Sequence, residues 1–257
     1  MLELSHIYTT CNINTINETK VFSDFNLSVD KGEFVSIVGS NGSGKTTLLN
    51  IISGSIPVES GEILLDGKTI NKQKEFVRAR RIGRVFQDPA KGTAYGMSIA
   101  ENMALADNKG KTYGLSFGIN KKRLEYYKDL LSTLNLGLEN KMDTQVGALS
   151  GGQRQALTLL ISTMTPIDLL LLDEHTAALD PKTSQDIMEL TNKIVKEKNI
   201  TTLMVTHNLR FAVEYGSRLL MFNKGSIVVD KLGQEKEDLR VDDLLSVFNE
   251  ISIECGN

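Results

Sequence analysis

The sequence predicts an α/β fold, because two apolar segments of strand length each run directly into a turn that carries polar chemistry. The first segment, residues 34–38, is followed by a glycine-rich turn and then by residues 47–52, which have a helical pattern. The second, residues 169–172, is four leucines followed by Asp173 and Glu174. An all-apolar strand is typical of a parallel sheet buried on both faces. Ligand sites of open α/β sheets lie at the carboxyl edge, where both turns are expected.

The first turn has the pattern of a phosphate-binding loop. Residues 39–46 read Gly-Ser-Asn-Gly-Ser-Gly-Lys-Thr, which is G-x-x-x-x-G-K-[ST] in a strand–loop–helix setting. Its glycines let successive backbone N–H groups face one concavity at a helix N-terminus, where an anion is favoured. Lys45 can reach the terminal phosphates of a nucleotide, and the Thr46 hydroxyl is placed to ligate Mg²⁺. An unliganded glycine-rich turn is the alternative. The predicted nucleotide-binding residues are Gly39, Ser40, Asn41, Gly42, Ser43, Gly44, Lys45, Thr46 and Thr47.

A second helix start is also suited to an anion. Leu149-Ser150-Gly151-Gly152-Gln153 precedes the helical pattern of residues 154–160. Ser150 is a good N-cap, and the two glycines leave the backbone at the helix start uncovered.

Composition narrows the class of protein. The chain has 257 residues, 40% of them apolar, and a net charge of −3, which suits one large soluble domain with a subordinate lobe. Without a basic excess, no nucleic-acid partner is expected. The longest apolar stretch, residues 156–172, is interrupted by Pro166 and Asp168, so we do not expect a membrane span. No signal peptide opens the chain, and the two distant cysteines, Cys11 and Cys255, suit a reducing compartment, so a cytoplasmic location is predicted.

With these motifs the chain resembles the ATP-binding subunits of ABC transporters over nearly its whole length. Residues 149–153 match the five-residue signature of that family without change. Gln87 lies in Val-Phe-Gln-Asp-Pro, which resembles the glutamine loop, and residues 178–180 resemble the loop after the acidic strand. His207 lies in Val-Thr-His-Asn, and Tyr8 is the aromatic residue expected to stack on adenine.

The resemblance implies the P-loop NTPase fold of ABC ATPases in one domain. We expect a mixed-sheet core with an antiparallel β layer, a helical lobe that meets the membrane subunits, and a short tail. The expected segments are 1–87 and 151–230 for the core and β layer, 88–150 for the lobe, and 231–257 for the tail. Residues 62–68 predict a hairpin with an Asp-Gly turn, residues 99–105 and 121–134 predict helices, and the charged residues 231–243 predict a solvated face.

The resemblance also implies roles in ATP hydrolysis. Lys45 and the loop amides hold the β- and γ-phosphates, while Thr46, Gln87 and Asp173 ligate Mg²⁺. Glu174 is the general base, with a structural salt bridge as its alternative, and His207 contacts the γ-phosphate and orients the water.

In this family, the phosphate loop of one copy of the chain and the second helix start of another copy bind the same ATP. Ser150, Gly151, Gly152 and Gln153 of a second copy are therefore expected to complete the ATP site in an ATP-dependent homodimer. Integral membrane permease subunits and an extracytoplasmic substrate-binding protein are the other expected partners, with the chain peripheral at the cytoplasmic face of the membrane.

One position departs from the family pattern. His175 stands where proline usually follows the glutamate, and residues 173–183 resemble a bacterial subgroup of tryptophan/tyrosine-type importers. His175 is either a pH-sensitive group beside the carboxylate or, as we favour, a tolerated loop variant. An aromatic amino acid is the expected cargo. An exporter or lipoprotein-release ATPase stays an alternative. So do non-transport ABC ATPases, although these usually join two cassettes or insert a coiled coil.

Overall fold

The computed structural model describes residues 1–11, 16, 18–111 and 118–254, and Cys255 lies outside them. Its strands are β1 (Leu2–Cys11), β2 (Thr19–Val29), β3 (Phe34–Gly39), β4 (Ser60–Leu65), β5 (Lys68–Thr69), β6 (Ile82–Val85), β7 (Leu169–Asp173), β8 (Thr201–Val205), β9 (Arg218–Asn223) and β10 (Ser226–Leu232). Its α-helices are α1 (Lys45–Ser53), α2 (Glu75–Arg78), α3 (Ile99–Asp107), α4 (Leu124–Ser132), α5 (Gly151–Thr163), α6 (Pro181–Lys198), α7 (Leu209–Glu214), α8 (Gln234–Glu237) and α9 (Val241–Glu254). Short 3₁₀ turns occupy Pro89–Lys91, Lys121–Arg123, Leu138–Asn140 and Val146–Ala148.

The chain divides into two compact units. The first contains Met1–Arg78 and the chain from Ile200 onward, and the second contains Ala79–Asn199. The second unit therefore includes residues 88–150 together with the strands β6 and β7. The assignment of residues 88–150 alone to a helical lobe stays a prediction.

The first unit has an antiparallel sheet and a mixed sheet. The antiparallel sheet has the order β2-β1-β4-β5, and Leu2 of β1 pairs with Val29 of β2 and with Leu65 of β4. In the mixed sheet β3 runs parallel to both β8 and β9, and β10 pairs antiparallel with β9. All six residues of β3 are buried, as its apolar sequence predicts. The predicted α/β class with an antiparallel layer is confirmed.

The hairpin between β4 and β5 confirms the predicted Asp-Gly turn. Asp66 and Gly67 have φ angles of +52° and +70°. Two successive positive φ angles are the requirement of a type I′ turn, for which Asp-Gly is among the preferred pairs. The turn therefore fixes the register of Leu65 with Lys68.

A buried arginine closes the end of α1, the helix that follows the phosphate loop. Arg78 is 4% exposed, and its Nη1 donates to Ile51 O at 2.7 Å and to Ile52 O at 3.0 Å. Its other nitrogens donate to Gln73 O and Asn71 O, both at 3.1 Å. Burial lowers the pKa of the guanidinium from its ordinary value. The last carbonyls of a helix lack partners within it and attract a cation, so Arg78 satisfies groups that α1 leaves open.

Arg78→Met should therefore lower the free energy of unfolding by about 2–4 kcal/mol, because it leaves several buried carbonyls without a donor. Denaturant titration followed by circular dichroism measures this change. Arg80→Met at an exposed position is the control and should change stability by less than about 0.5 kcal/mol. Equal effects of the two substitutions would contradict the capping role.

The described part of the second unit joins a pair of parallel strands to four α-helices. β6 and β7 pair from Ile82 with Leu169 to Val85 with Leu172. The predicted helices at 99–105 and 121–134 are observed as α3 and as α4 with the turn before it. Their shared core includes Met103, Tyr127 and Leu131, with Leu157 and Leu160 of α5.

Residues 231–250 are mostly exposed, as the charge of residues 231–243 predicts, and two of them are buried. Lys236 is buried and donates to Val213 O at the end of α7. Leu244 is buried with Val38 and Ala212, so α9 packs on the same core as the strand that leads into the phosphate loop.

Candidate ATP site

The phosphate loop lies in the first unit, between β3 and α1. Gly39 has a φ of +151°, and a Cβ at this position would lie 2.3 Å from Phe222 O, so only glycine fits. Gly44 is the N-cap of α1 with a φ of +106°. Lys45 is 5% exposed, and its Nζ donates to Gly39 O at 2.7 Å and to Ser40 O at 2.8 Å. The loop therefore winds around a buried ammonium group at a helix N-terminus.

The loop has the properties of a phosphate site. A Cβ added at Gly42 would meet no atom within 4 Å, so the turn faces open space there. The Ser43 hydroxyl is buried and has no hydrogen-bond partner within the described structure. An anion at the start of α1 is favoured by the helix dipole and by the positive charge of Lys45. These features fit a bound phosphate chain.

His207 follows the strand next to the loop. β8 pairs in parallel with β3, with Val205 opposite Ile37, and Thr206 N donates to Ile37 O at 3.1 Å. The exposed His207 therefore leaves the sheet at the same edge as the loop, and Asn208 caps α7 by accepting from Phe211 N at 3.2 Å.

Tyr8 also belongs to the first unit. It lies in β1, half-buried, with Lys20 Nζ 5.5 Å from its ring centroid.

The predicted acidic residues lie in the second unit at the carboxyl end of β7. Val85 pairs with Leu172, so the exposed Gln87 and the buried Asp173 leave adjacent parallel strands at one edge. Gln87 and Asp173 here, and Thr46 in the first unit, each offer an oxygen atom of the kind that Mg²⁺ takes as a ligand. No cluster of three or more His, Cys, Asp and Glu side chains that could hold a metal occurs in the part of the chain that the structure describes.

Arg84 is a site residue that the sequence reasoning missed. Its Nη2 lies 3.3 Å from Asp173 Oδ2, and both side chains are largely buried. Its guanidinium also lies 4.5 Å from the Phe86 ring centroid. A charged residue within the short apolar strand β6 was the signal that could have identified it. The pair places a compensating cation beside a carboxylate that would be costly to bury alone.

Glu174 has an unusual backbone. Its φ is +49°, in the left-handed region that costs a residue with a Cβ about 1–2 kcal/mol. Ala177 N donates to Glu174 O at 2.9 Å, and Ser184 Oγ of α6 donates to Thr176 O at 3.0 Å. A strained conformation persists only where its surroundings fix it, and such positions concentrate at functional sites.

His175 is the residue that departs from the family pattern. Its side chain is buried. Burial lowers its pKa to about 4, so the ring is neutral near pH 7. Titration near neutral pH, the pH-sensitive interpretation, is therefore not supported.

Helix α5, which begins within the family signature at residues 149–153 and is called the signature helix below, has the predicted N-cap, Ser150. Ser150 Oγ accepts from Gln153 N at 3.3 Å, and Gln153 Oε1 accepts from Ser150 N at 3.2 Å, which is a complete capping box. A Cβ on Gly152 would lie 2.4 Å from Thr183 Cγ2. Ser150 itself is exposed, so this helix start is accessible to a second molecule.

Known proteins resemble this chain along most of its length. Residues 22–177 match the family described as ABC transporter. The chain is 52% identical to the tyrosine transport ATP-binding protein of Clostridioides difficile strain R20291, covering 89% of this chain and 90% of that protein. It is 33% identical to a phosphonates import ATP-binding protein of Lactococcus lactis subsp. cremoris strain SK11, covering 85% and 89%.

A solved structure of an ATP-binding cassette also resembles this chain. The dimeric post-hydrolysis state of the ATP-binding cassette MJ0796, bound to ADP and phosphate, superposes with a TM-score of 0.77 at 28% identity, covering 90% of this chain and 98% of that one. The fold and the family predicted from the sequence are confirmed. The chain belongs to the ABC transporter family and is one of its ATP-binding, ATP-hydrolysing subunits.

Proposed function

We propose that this ATPase drives import of an aromatic amino acid, with tyrosine foremost. The observation that carries the proposal is the 52% identity with a tyrosine transport ATP-binding protein over 89% of the chain. The phosphonate relative is named as an import ATP-binding protein, which favours import over the exporter alternative. The permease subunits, an extracytoplasmic binding protein and a peripheral position at the cytoplasmic face of the membrane belong to this proposal. Within the described ranges, no helix is both long enough and apolar enough to cross a membrane.

The nucleotide is assigned to the phosphate loop. The amides of residues 39–47 and the Lys45 ammonium hold the β- and γ-phosphates, and the Tyr8 ring stacks on adenine. Thr46, Gln87 and Asp173 hold Mg²⁺, which when bound neutralises phosphate charge. The buried position of Lys45 within the loop, where its Nζ donates to Gly39 O and Ser40 O, supports this assignment.

Hydrolysis is assigned to Glu174 and His207. The Glu174 carboxylate accepts a proton from water as the water oxygen bonds to the γ-phosphorus and the bond to the β–γ bridging oxygen breaks. His207 hydrogen-bonds the γ-phosphate and orients the water. The products are ADP and inorganic phosphate.

A second copy of the chain completes the site. Ser150, Gly151, Gly152 and Gln153 of one chain bind the ATP held by the loop of the other, so ATP forms part of the interface and its hydrolysis releases it. The exposed, capped start of α5 supports this role. ATP thereby shifts the population toward the dimer, since it contacts both chains only there.

Deleting the gene in its source bacterium should reduce uptake of radiolabelled tyrosine or tryptophan, because the importer loses its energy source. The wild-type gene should restore uptake, whereas a gene carrying Glu174→Gln should not. Uptake of labelled leucine serves as the control for membrane integrity. Normal uptake of both aromatic amino acids, with loss of an export activity, would reverse the proposed direction and cargo.

A further inference from the structure

The loop that carries Glu174 is tied to helix α6 through the next residue. His175 is 3% exposed, and its Nε2 lies 3.1 Å from Thr191 Oγ1. Thr191 is fully buried and donates its own proton to Ile187 O at 2.7 Å, one turn earlier in α6. Both partners of the histidine bond are therefore inside the second unit.

The direction of this hydrogen bond depends on the tautomer of the ring and on the single proton of the Thr191 hydroxyl. A threonine hydroxyl has one proton, and here Ile187 O receives it. In that arrangement Thr191 Oγ1 accepts from the ring, and Nε2 carries the hydrogen of a neutral imidazole. A neutral donor suits this buried position, because a charged ring would need a counter-ion.

This bond acts next to the strained residue. Glu174 follows buried Asp173 on one side and precedes anchored His175 on the other. With its neighbours fixed, its backbone stays at a φ of +49°. If His175 were released, the loop could relax to a negative φ, which would turn the Glu174 carboxylate in a different direction.

We propose that His175 is a positioning residue for ATP hydrolysis, whose buried hydrogen bond to Thr191 holds the Glu174 carboxylate in its working direction. This inference rests on the proposed role of Glu174 as the base. It replaces the interpretation of His175 as a tolerated loop variant.

Matched substitutions at both ends of the bond test this inference. His175→Phe keeps a ring and removes the donor, while His175→Gln keeps an amide donor at a similar reach. Thr191→Val removes the acceptor, while Thr191→Ser keeps it. Thr163→Val is the control, because the buried Thr163 hydroxyl bonds Leu159 O in its own helix in the same manner. Steady-state kcat and KM, the Kd for a fluorescent ATP analogue, and the melting temperature are measured for each protein.

His175→Phe and Thr191→Val should lower kcat about ten- to a hundredfold with Kd changed less than about twofold, since misplacing a catalytic group affects the chemical step. His175→Gln and Thr191→Ser should recover most of kcat, and Thr163→Val should keep it. All assays run well below the melting temperature, so a loss of stability alone would leave kcat intact. Unchanged kcat in both disruptive variants would overturn the inference.

The double variant with Glu174→Gln separates this inference from the proposed base. If His175 acts through Glu174, His175→Phe should not lower the residual rate of Glu174→Gln further. An additive loss would show that His175 acts elsewhere and would overturn the positioning role alone. Full activity of Glu174→Gln by itself would remove the base assignment and with it this inference.

Discussion

Glu174→Gln is expected to lower the rate of ATP hydrolysis by about two orders of magnitude or more, the usual scale for removing a positioned base. Glutamine keeps the size of the side chain and removes its basicity. ATP should still bind, because Lys45 and Thr46 lie in the other unit and are unchanged. Phosphate release measures turnover, and a fluorescent nucleotide measures binding. Turnover within about threefold of wild type would leave Glu174 with only a structural role.

The same variant should accumulate as a dimer with ATP. In size-exclusion chromatography Glu174→Gln should elute as a dimer only when ATP is present, whereas wild type should elute mainly as a monomer after turnover. Adding Ser150→Arg should abolish this dimer while each chain still binds ATP. Ser246→Arg, at an exposed serine of α9, is the matched control and should keep the dimer. A Glu174→Gln/Ser150→Arg protein that still dimerises with ATP would exclude a contribution of the signature helix to the partner's site.

Features encoded by consecutive residues could be predicted from the sequence. β3, the loop and α1 follow one another without a break, so the G-x-x-x-x-G-K-[ST] pattern specifies strand, turn and helix together. The capping box at Ser150 and Gln153 and the Asp66-Gly67 turn are also set within four residues.

Features that depend on distant residues could not be predicted. Arg84 and Asp173 are 89 residues apart in sequence, and they meet only because β6 and β7 pair in one particular register. Arg78 caps α1 from a separate helix. His175 is buried because α6 lies against the loop, and its hydroxyl partner, Thr191, follows 16 residues later. Residue propensities and short motifs carry no information about contacts between distant residues. The sequence alone therefore favours the interpretation of His175 as a loop variant.

Lys45→Ala is expected to abolish measurable hydrolysis and to weaken ATP binding. The substitution removes the one ammonium group that the loop encloses, and hydrogen bonds to charged groups contribute about 1.5–3 kcal/mol. Binding should therefore weaken about ten- to a hundredfold.

Two control variants and a comparison of AMP with ATP separate the charge of Lys45 from its place in the loop. Lys45 Nζ donates to Gly39 O and Ser40 O, so its loss also removes these hydrogen bonds, which shape the loop. Lys45→Met keeps most of the buried stem and should show the same loss of ATP binding if charge is the cause. Lys31→Ala, on the exposed turn before β3, should bind ATP normally. Because the ammonium contacts the most charged end of the nucleotide, AMP binding should fall much less than ATP binding in Lys45→Met. Unchanged turnover in Lys45→Ala would remove the assignment of this loop to the phosphates.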